Sequence, residues 1–475
     1  MNPQLATVVF SLGIAGLFVL DWDRKARTSN ALWIPIAWLS IAGSRMVSQW
    51  LAATGPDAES SLSSPDQYLD GSPLDRNVLT ALLVVAVIVL VKRGPRVRRL
   101  LVGNGPILLF YSYCALSILW SDYPEVAFKR WIKFFGNLVM VLIVLTDPDR
   151  SYSMRRFLAR TGFLLMPLSI LFIKYYPDLG RGYHPWIWKP YYTGVTTNKN
   201  TLGMICLVFG LGSVWHLLQA LRGRGERTRR AGPLIAHTAL LAMVMWLFWK
   251  ANSMTSLCCF LLASGLMVVT SLRWLALRPV VVHVLVGAIL FLSFSALFLD
   301  FGMGLVETLG RDPTLTGRTA IWDLVIGMND NPLVGSGFES FWLGPRVERI
   351  WNMYWWHPNE AHNGYIEIFL NLGSLGLALL AGVMVKGYQN IMVALRRNVD
   401  TGTLRLAYFV TALAYNFTES AFRMIDPVWI VFVVAVTAVP DVPFPQGVNI
   451  SAHMAPAQCH TDLRLAKTHS HEEVV

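Results

Sequence analysis

The pair His362-Asn363 stands where a long polar stretch gives way to an apolar run, and Glu367 follows inside that run. An imidazole titrates near neutrality, so His362 could take a proton from a hydroxyl as a general base. The plainer reading makes Asn363 a helix N-cap and His362 a boundary residue. Glu367 lies one turn beyond Asn363, and a carboxylate within an apolar span is a site candidate by default. A second constellation precedes it. Thr316-Gly317-Arg318-Thr319-Ala320-Ile321-Trp322 opens an amphipathic helix, with Ile321, Val325 and Met328 on one face and a stop at Asn331-Pro332. Thr316 suits an N-cap. Arg318 in the first turn adds positive charge to a terminus that is already positive. That placement makes sense where an anion binds, with free N–H groups and a guanidinium converging on it; a solvated arginine is the alternative.

Between these constellations, Leu333-Val334-Gly335-Ser336-Gly337-Phe338 is a glycine-punctuated turn that can bring backbone close to a ligand. Trp342, Trp351, Tyr354, Trp355 and Trp356 crowd the same stretch. Such aromatics form an interfacial belt or stack on sugar faces. An anion bound in this stretch would be met bidentately by arginine, which suits it better than lysine. No Gly-x-x-x-x-Gly-Lys-Ser/Thr and no His-Glu-x-x-His occurs, so ATP and zinc-hydrolase chemistries lack their usual parts.

The elements that must position these residues are membrane helices. The 475 residues are 54% hydrophobic and 15% charged, with a positive mean hydropathy, which a soluble core with loops does not accommodate. Apolar runs of about 20 residues, the length that crosses a roughly 30 Å hydrocarbon core, recur along the chain. They read as helices, since no alternating barrel pattern occurs. The predicted spans are 5–20, 32–51, 78–91, 105–121, 131–146, 157–175, 201–220, 233–250, 256–272, 279–299, 363–385, 403–418 and 424–440. The first and last are the weakest, giving about twelve to thirteen helices.

Basic clusters at Lys92 to Arg99, Arg150 to Arg156, Arg222 to Arg230, Arg273 to Arg278 and Lys386 to Arg397 fall between alternate pairs. All then lie on the cytoplasmic side, and the net charge of +11 reflects topology rather than nucleic-acid binding. Arg24, Lys25 and Arg27 follow the first run, which predicts an external N-terminus and no cleavable signal peptide. The acidic 52–77 connection, 176–200 and the large loop 300–362 are then external. Long loops rich in Trp, Tyr, Gly and Arg are functional candidates. Residues 1–440 form the membrane domain, and 441–475, with His453, His460, His469 and His471, reads as a disordered cytoplasmic tail. The five cysteines have no disulfide or zinc spacing.

At these residues the sequence resembles the O-antigen ligase and Wzy-type polymerase superfamily. The pattern that carries the resemblance is Gly317-Arg318, Ile321-Trp322, Asn331 through Gly337, His362-Asn363-Gly364-Tyr365 and Leu372-Gly373-Ser374-Leu375-Gly376. Ser44-Arg45, Trp120-Ser121-Asp122-Tyr123-Pro124 before Lys129 and Arg130, and Thr197-Asn198-Lys199-Asn200 look like its exopolysaccharide-production branch. The resemblance implies an all-α GT-C-like glycosyltransferase fold whose large external loop covers a cavity, at the outer face of a bacterial inner membrane. It also implies a donor glycan on undecaprenyl diphosphate, attacked at its anomeric carbon by an acceptor hydroxyl, with no cofactor and no metal. Arg318 and His362 match functionally important family residues. Where many members have Ser-Arg, this chain reads Asn252-Ser253-Met254-Thr255-Ser256, and Lys250, Arg181 or Arg130 are candidates for the missing charge.

The expected catalytic pair is His362 and Arg318. The expected substrate contacts are Arg130, Arg181, Lys199, Arg311, Asn363, Glu367, Glu419 and Arg423. Three functions remain open at this point: a polymerase of lipid-linked repeat units, with a chain-length regulator and a repeat-unit flippase as partners; a ligase onto lipid A-core or another acceptor; and a transporter or flippase. No internal repeat of the transporter kind is evident, and the early segments favour the polymerase.

Overall fold

The computed structural model describes residues 1–23, 28–52, 71–183, 189–222, 231–298, 316–354 and 356–439. The predicted loop residues 299–315, which include Arg311, and the tail beyond 439 lie outside them. The described elements are α1 (Pro3–Leu20), α2 (Trp33–Ala42), α3 (Pro73–Lys92), α4 (Gly105–Leu116), α5 (Pro124–Leu145), α6 (Arg150–Tyr175), β1 (Arg181–Tyr183), β2 (Pro190–Tyr192), α7 (Lys199–Arg222), α8 (Ala231–Ala251), α9 (Met254–Ser271), α10 (Pro279–Phe298), α11 (Thr316–Gly327), α12 (Pro345–Met353), α13 (Gly364–Arg397), α14 (Val399–Tyr415) and α15 (Pro427–Val436), with a few shorter helices between them. The chain is a polytopic all-α membrane protein; β1 and β2 form one antiparallel hairpin with Arg181 opposite Tyr192.

The predicted spans fall on helical structure, but the helices are unequal, and 32–51 is split into Trp33–Ala42 and Val47–Ala52. Among the described residues seven, namely α1, α3, α6, α7, α8, α9 and α13, are long and apolar enough to cross a bilayer, and an eighth if Gly94–Val102 and Gly105–Trp120, bent by 90°, count as one span. The rest depart for identifiable reasons. The first three turns of α5 carry Glu125, Lys129, Arg130 and Lys133. The ten residues of α15 are apolar on every side and all buried, so this helix lies inside the bundle rather than in lipid. Its start is fixed by Asp426, whose side chain accepts from Val428 N (2.8 Å) and Trp429 N (3.3 Å), with Pro427 in the first turn.

The core is centred on α15, α14, α7 and the second half of α5, where Phe134, Tyr111, Trp429 and Phe432 interlock. By contrast α1, α3 and α10 keep large apolar side chains such as Leu12, Ile88 and Phe291 exposed, as lipid-facing helices do. Within the core, Arg93 pairs with the buried Asp147 at 3.3 Å, and Ser29 N donates to the same carboxylate at 3.2 Å.

The described residues of 316–363 pack around a small core of their own. Ile321, Trp322 and Val325 of α11 pack with Phe341, Trp342, Val347, Ile350 and Trp351, as the predicted apolar face required. Helix α11 ends at Gly327, before the predicted stop. The glycine turn docks on a break in α13. Gly373 there has φ +66° and ψ −170°, and Ser336 N donates to Leu370 O (3.0 Å), Ser374 N to Pro332 O (2.8 Å) and Leu375 N to Leu333 O (3.1 Å). A Cβ on Gly335 would lie 2.5 Å from the Asn371 and Leu372 backbone, and one on Gly373 would lie 2.2 Å from Leu333 O. Each glycine is required by the other's approach. The expectation that this turn meets a ligand is therefore replaced: it meets α13.

Candidate active site

The connection 416–426 between α14 and α15 and the residues leading into α13 are tied together before any charge is considered. Asn363 caps α13, its Oδ1 accepting from Tyr365 N (3.0 Å) and Ile366 N (3.1 Å), while its Nδ2 donates to Phe417 O (3.1 Å) and its N–H to Ser420 Oγ (3.1 Å). Gly364 N donates to Asn416 O and Glu419 O, and a Cβ there would lie 1.9 Å from Asn416 Oδ1. Asn416 Oδ1 in turn accepts from Ala421 N and Phe422 N. These fasteners hold His362 at φ +51°, a backbone conformation that is uncommon outside glycine and that clusters at functional sites.

Five charged side chains meet there. His362 Nδ1 lies 3.1 Å from Glu360 Oε1 and 3.7 Å from Glu419 Oε2. Arg423 Nη1 donates to Glu360 Oε2 at 2.6 Å. Arg318, reaching in from the first turn of α11, donates to Thr418 O at 2.5 Å and places Nη2 3.7 Å from Glu419 Oε1. Asn200 Nδ2 donates to Glu419 Oε1 at 3.3 Å. His362, Glu360, Glu419 and Arg423 line one cavity of about 640 Å³, together with Lys199, Asn200, Gln49, Tyr183 and Tyr191.

The electrostatics follow from this packing. Burial opposes the imidazolium of His362, but the Glu360 and Glu419 carboxylates outweigh it and lift the group to about 9. Burial would also raise Glu360, yet Arg423, then His362 and Arg318, hold its carboxyl down at about 2. Glu360 in turn raises Arg423. The surroundings therefore favour the imidazolium of His362, whereas a general-base role needs the neutral ring.

The other expected site residues divide. Lys199 and Arg423 line the cavity, and Arg318 and Glu419 form its ion pair. Glu367 lies beside the small core, where it accepts from Trp342 Nε1 at 3.0 Å and from Ala361 N at 2.5 Å and so fastens the loop, and it also lines a neighbouring chamber with Glu360 and Arg423. Arg130 donates to Glu339 O and lines a neighbouring chamber. Arg181 donates to Ile173 O (2.9 Å) beside the Tyr192 ring, and Lys250 lies 4.0 Å from the Trp249 ring centroid; neither lines the cavity. Trp342 and Trp351 belong to the small core, whereas Trp356, 40% exposed, stacks on His362 at 6.3 Å. Glu360, two residues before the histidine, was not anticipated, although an acid so placed beside a titrating group was a readable signal. Two Asp-x-Asp spacings occur, and the structure gives them other work: Asp147 pairs with Arg93, Asp149 caps α6, and Asp21 lies 3.4 Å from His237.

Glu360, His362 and Glu419 present ligand atoms within 4.8 Å of one another, a spacing a metal ion could use. Arg423 and Arg318 already engage those carboxylates, which disfavours adding a cation.

Residues 201–381, from α7 through the break in α13, match the O-antigen ligase family. Over that stretch, less than half of its length, the chain is similar to O-antigen ligases. The exopolysaccharide production protein ExoQ of Rhizobium meliloti (strain 1021) is 27% identical over 293 residues, covering 59% of this chain and 64% of that protein, just under two thirds of its length. Putative polysaccharide ligases of Rickettsia typhi and Rickettsia prowazekii are each 20% identical, over 351 and 350 residues, covering 70% of this chain and 80% of theirs. Arg318, Glu360 and His362 fall inside the family match; Glu419 and Arg423 fall outside it.

Proposed function

We propose that this protein is a glycosyltransferase that polymerises glycan repeat units carried on undecaprenyl diphosphate, at the periplasmic face of a bacterial inner membrane. The observation that carries the reading is the cluster of Arg318, Arg423 and His362 cations around Glu419 and Glu360 on one cavity. In the reaction the acceptor hydroxyl oxygen bonds to the anomeric carbon, and the bond from that carbon to the diphosphate oxygen breaks. The diphosphate leaves on its lipid, its charge met by Arg318, Arg423 and the His362 imidazolium. The hydroxyl proton passes to Glu419. That moves the base role from His362 to its partner, because an imidazole already protonated cannot accept a proton. Lys199, Asn200, Tyr183 and Tyr191 offer hydrogen bonds and ring faces to the glycan acceptor. Residues 1–440 supply the whole site, and the chemistry uses no metal. A repeat-unit flippase and a chain-length regulator complete the set of partners.

The ligase reading is favoured by the names of the two rickettsial relatives. One assay separates the two. Purified protein in vesicles is given a synthetic polyprenyl-diphosphate oligosaccharide, with and without lipid A-core. A ladder of products supports polymerisation, a single addition to lipid A-core supports ligation, and a donor left unconsumed in both overturns the transferase reading. EDTA leaves the rate unchanged; loss restored by Mg²⁺ or Zn²⁺ would contradict the metal-free chemistry. For topology, Glu348→Cys on exposed α12 is labelled by an impermeant thiol reagent in intact cells and Arg397→Cys is not; the reverse pattern turns the molecule over.

A further inference from the structure

The four arginines that follow α3 divide into two pairs. Arg93 donates to Ile143 O (2.9 Å) and Thr146 Oγ1 (3.1 Å) and meets Asp147 at 3.3 Å, and Arg96 reaches Thr146 O at 3.5 Å. These two close the C-terminal end of α5, whose last carbonyls need donors. Arg98 and Arg99 do other work. They stand with Pro95 and Val102 on the exposed face of the short helix Gly94–Val102, at i, i+3, i+4 and i+7, while Val97 and Leu100 pack on the core. Arg99 donates to Pro95 O through Nε (3.3 Å), a bond that uses neither Nη, and Arg98 has no hydrogen bond or ion pair among the described residues. Gly94, Pro95, Arg98, Arg99 and Val102 line an open hollow of about 590 Å³, with no carboxylate among its lining residues.

The surroundings of the hollow are those of a membrane surface. Helices Gly94–Val102 and Gly105–Trp120 are bent by 90°. Because α4 packs on α13, a helix that crosses the bilayer, the short helix lies close to the plane of the headgroups. Just before the bend, Val84, Val87, Ile88 and Val91 of α3 form an exposed apolar stripe, the kind of surface that lipid chains cover. Gly94 and Pro95, three and four residues beyond Val91, open the hollow. A hydrocarbon surface thus leads to two guanidiniums with no acidic partner. An anion with acyl chains satisfies both parts, its chains along α3 and its phosphodiester held bidentately by arginine; a soluble anion leaves the apolar stripe uncovered. We propose that Arg98 and Arg99 seat the headgroup of one anionic diacyl phospholipid of the surrounding bilayer, on the side that carries the basic clusters. The seat lies outside residues 201–381 and shares no lining residue with the main cavity.

The test uses the full chain in nanodiscs of phosphatidylcholine mixed with phosphatidylglycerol, and native mass spectrometry counts the lipid that stays bound on release into mild detergent. Wild type keeps one phosphatidylglycerol in preference to phosphatidylcholine. Arg98→Gln with Arg99→Gln lowers that retention by roughly ten-fold, and the corresponding pair of lysines recovers part of it. Lys386→Gln with Arg396→Gln removes the same charge from exposed positions on α13 and leaves retention unchanged. Val102→Glu, at a position 79% exposed, sets a carboxylate in the hollow; it lowers retention too, and carries the test if the double arginine variant does not assemble. Wild-type retention in Arg98→Gln/Arg99→Gln, or in Val102→Glu, overturns the seat. So does an equal loss in Lys386→Gln/Arg396→Gln, which reduces the effect to general attraction by basic segments. Displacement of the lipid by inorganic phosphate also overturns it, by making the hollow a site for free anions, and a wild type that retains neither lipid over the other leaves the face to a soluble partner.

Discussion

Two groups of charges are held inside this apolar bundle, and they are built in opposite ways. Asp147 is closed in: one carboxylate, fully buried, meets Arg93 and the Ser29 N–H and does not line the main cavity. The group around His362 stays open: two carboxylates and three cations share contacts at 2.6 to 3.7 Å, and four of the five line a cavity of about 640 Å³. A closed pair fastens two elements and has one stable arrangement. An open cluster keeps its desolvated charges available to a ligand, at a cost that the surrounding Asn363, Asn416 and Gly364 fasteners must offset.

Substitutions that treat the two groups alike should therefore separate them. Glu419→Gln keeps the shape and removes the proton acceptor, so transfer in vesicles falls by about 10² to 10⁴-fold with the thermal midpoint unchanged. Asp147→Asn does the reverse. It leaves Arg93 uncompensated and costs about 3–5 kcal/mol of stability in a detergent melt, while the rate per folded molecule holds. Arg318→Ala lowers turnover by about 10² to 10³-fold, and Arg318→Lys recovers little of it because the planar fork is lost. Asn363→Ala, removing one cap, costs about 1 kcal/mol in the same melt, and its smaller rate loss tracks the misplaced His362. Equal losses of rate in Asp147→Asn and Glu419→Gln, at matched folded protein, would erase the distinction.

The sequence exposed the bundle through its apolar runs, because segment hydrophobicity is a local property, but not the break that splits 32–51 into two helices. It also exposed Arg318 and His362, since a charge in a first turn and a histidine at a span boundary are local anomalies. What stayed hidden depended on distance in space. That Glu360 and Glu419 flank one imidazole is decided by the return of the 416–426 connection to the start of α13, which no spacing encodes. Glu367 stood out as a carboxylate in an apolar run, but its hydrogen bonds from Trp342 and the Ala361 N–H, made by a loop folded over it, could not be read from spacing. The glycine turn likewise needed the Gly373 break before its partner was visible.

The charge state of His362 tests the account most directly. If the imidazolium, held at about 9, is the working form, the rate of glycan transfer in vesicles stays flat from neutrality and falls as pH rises through that value, as the cation is lost. His362→Gln then shows a low rate without that alkaline fall. A wild-type rate that instead climbs through the same range, with the climb gone in His362→Gln, would mean that the neutral imidazole does the work and that the charged-cluster account is wrong.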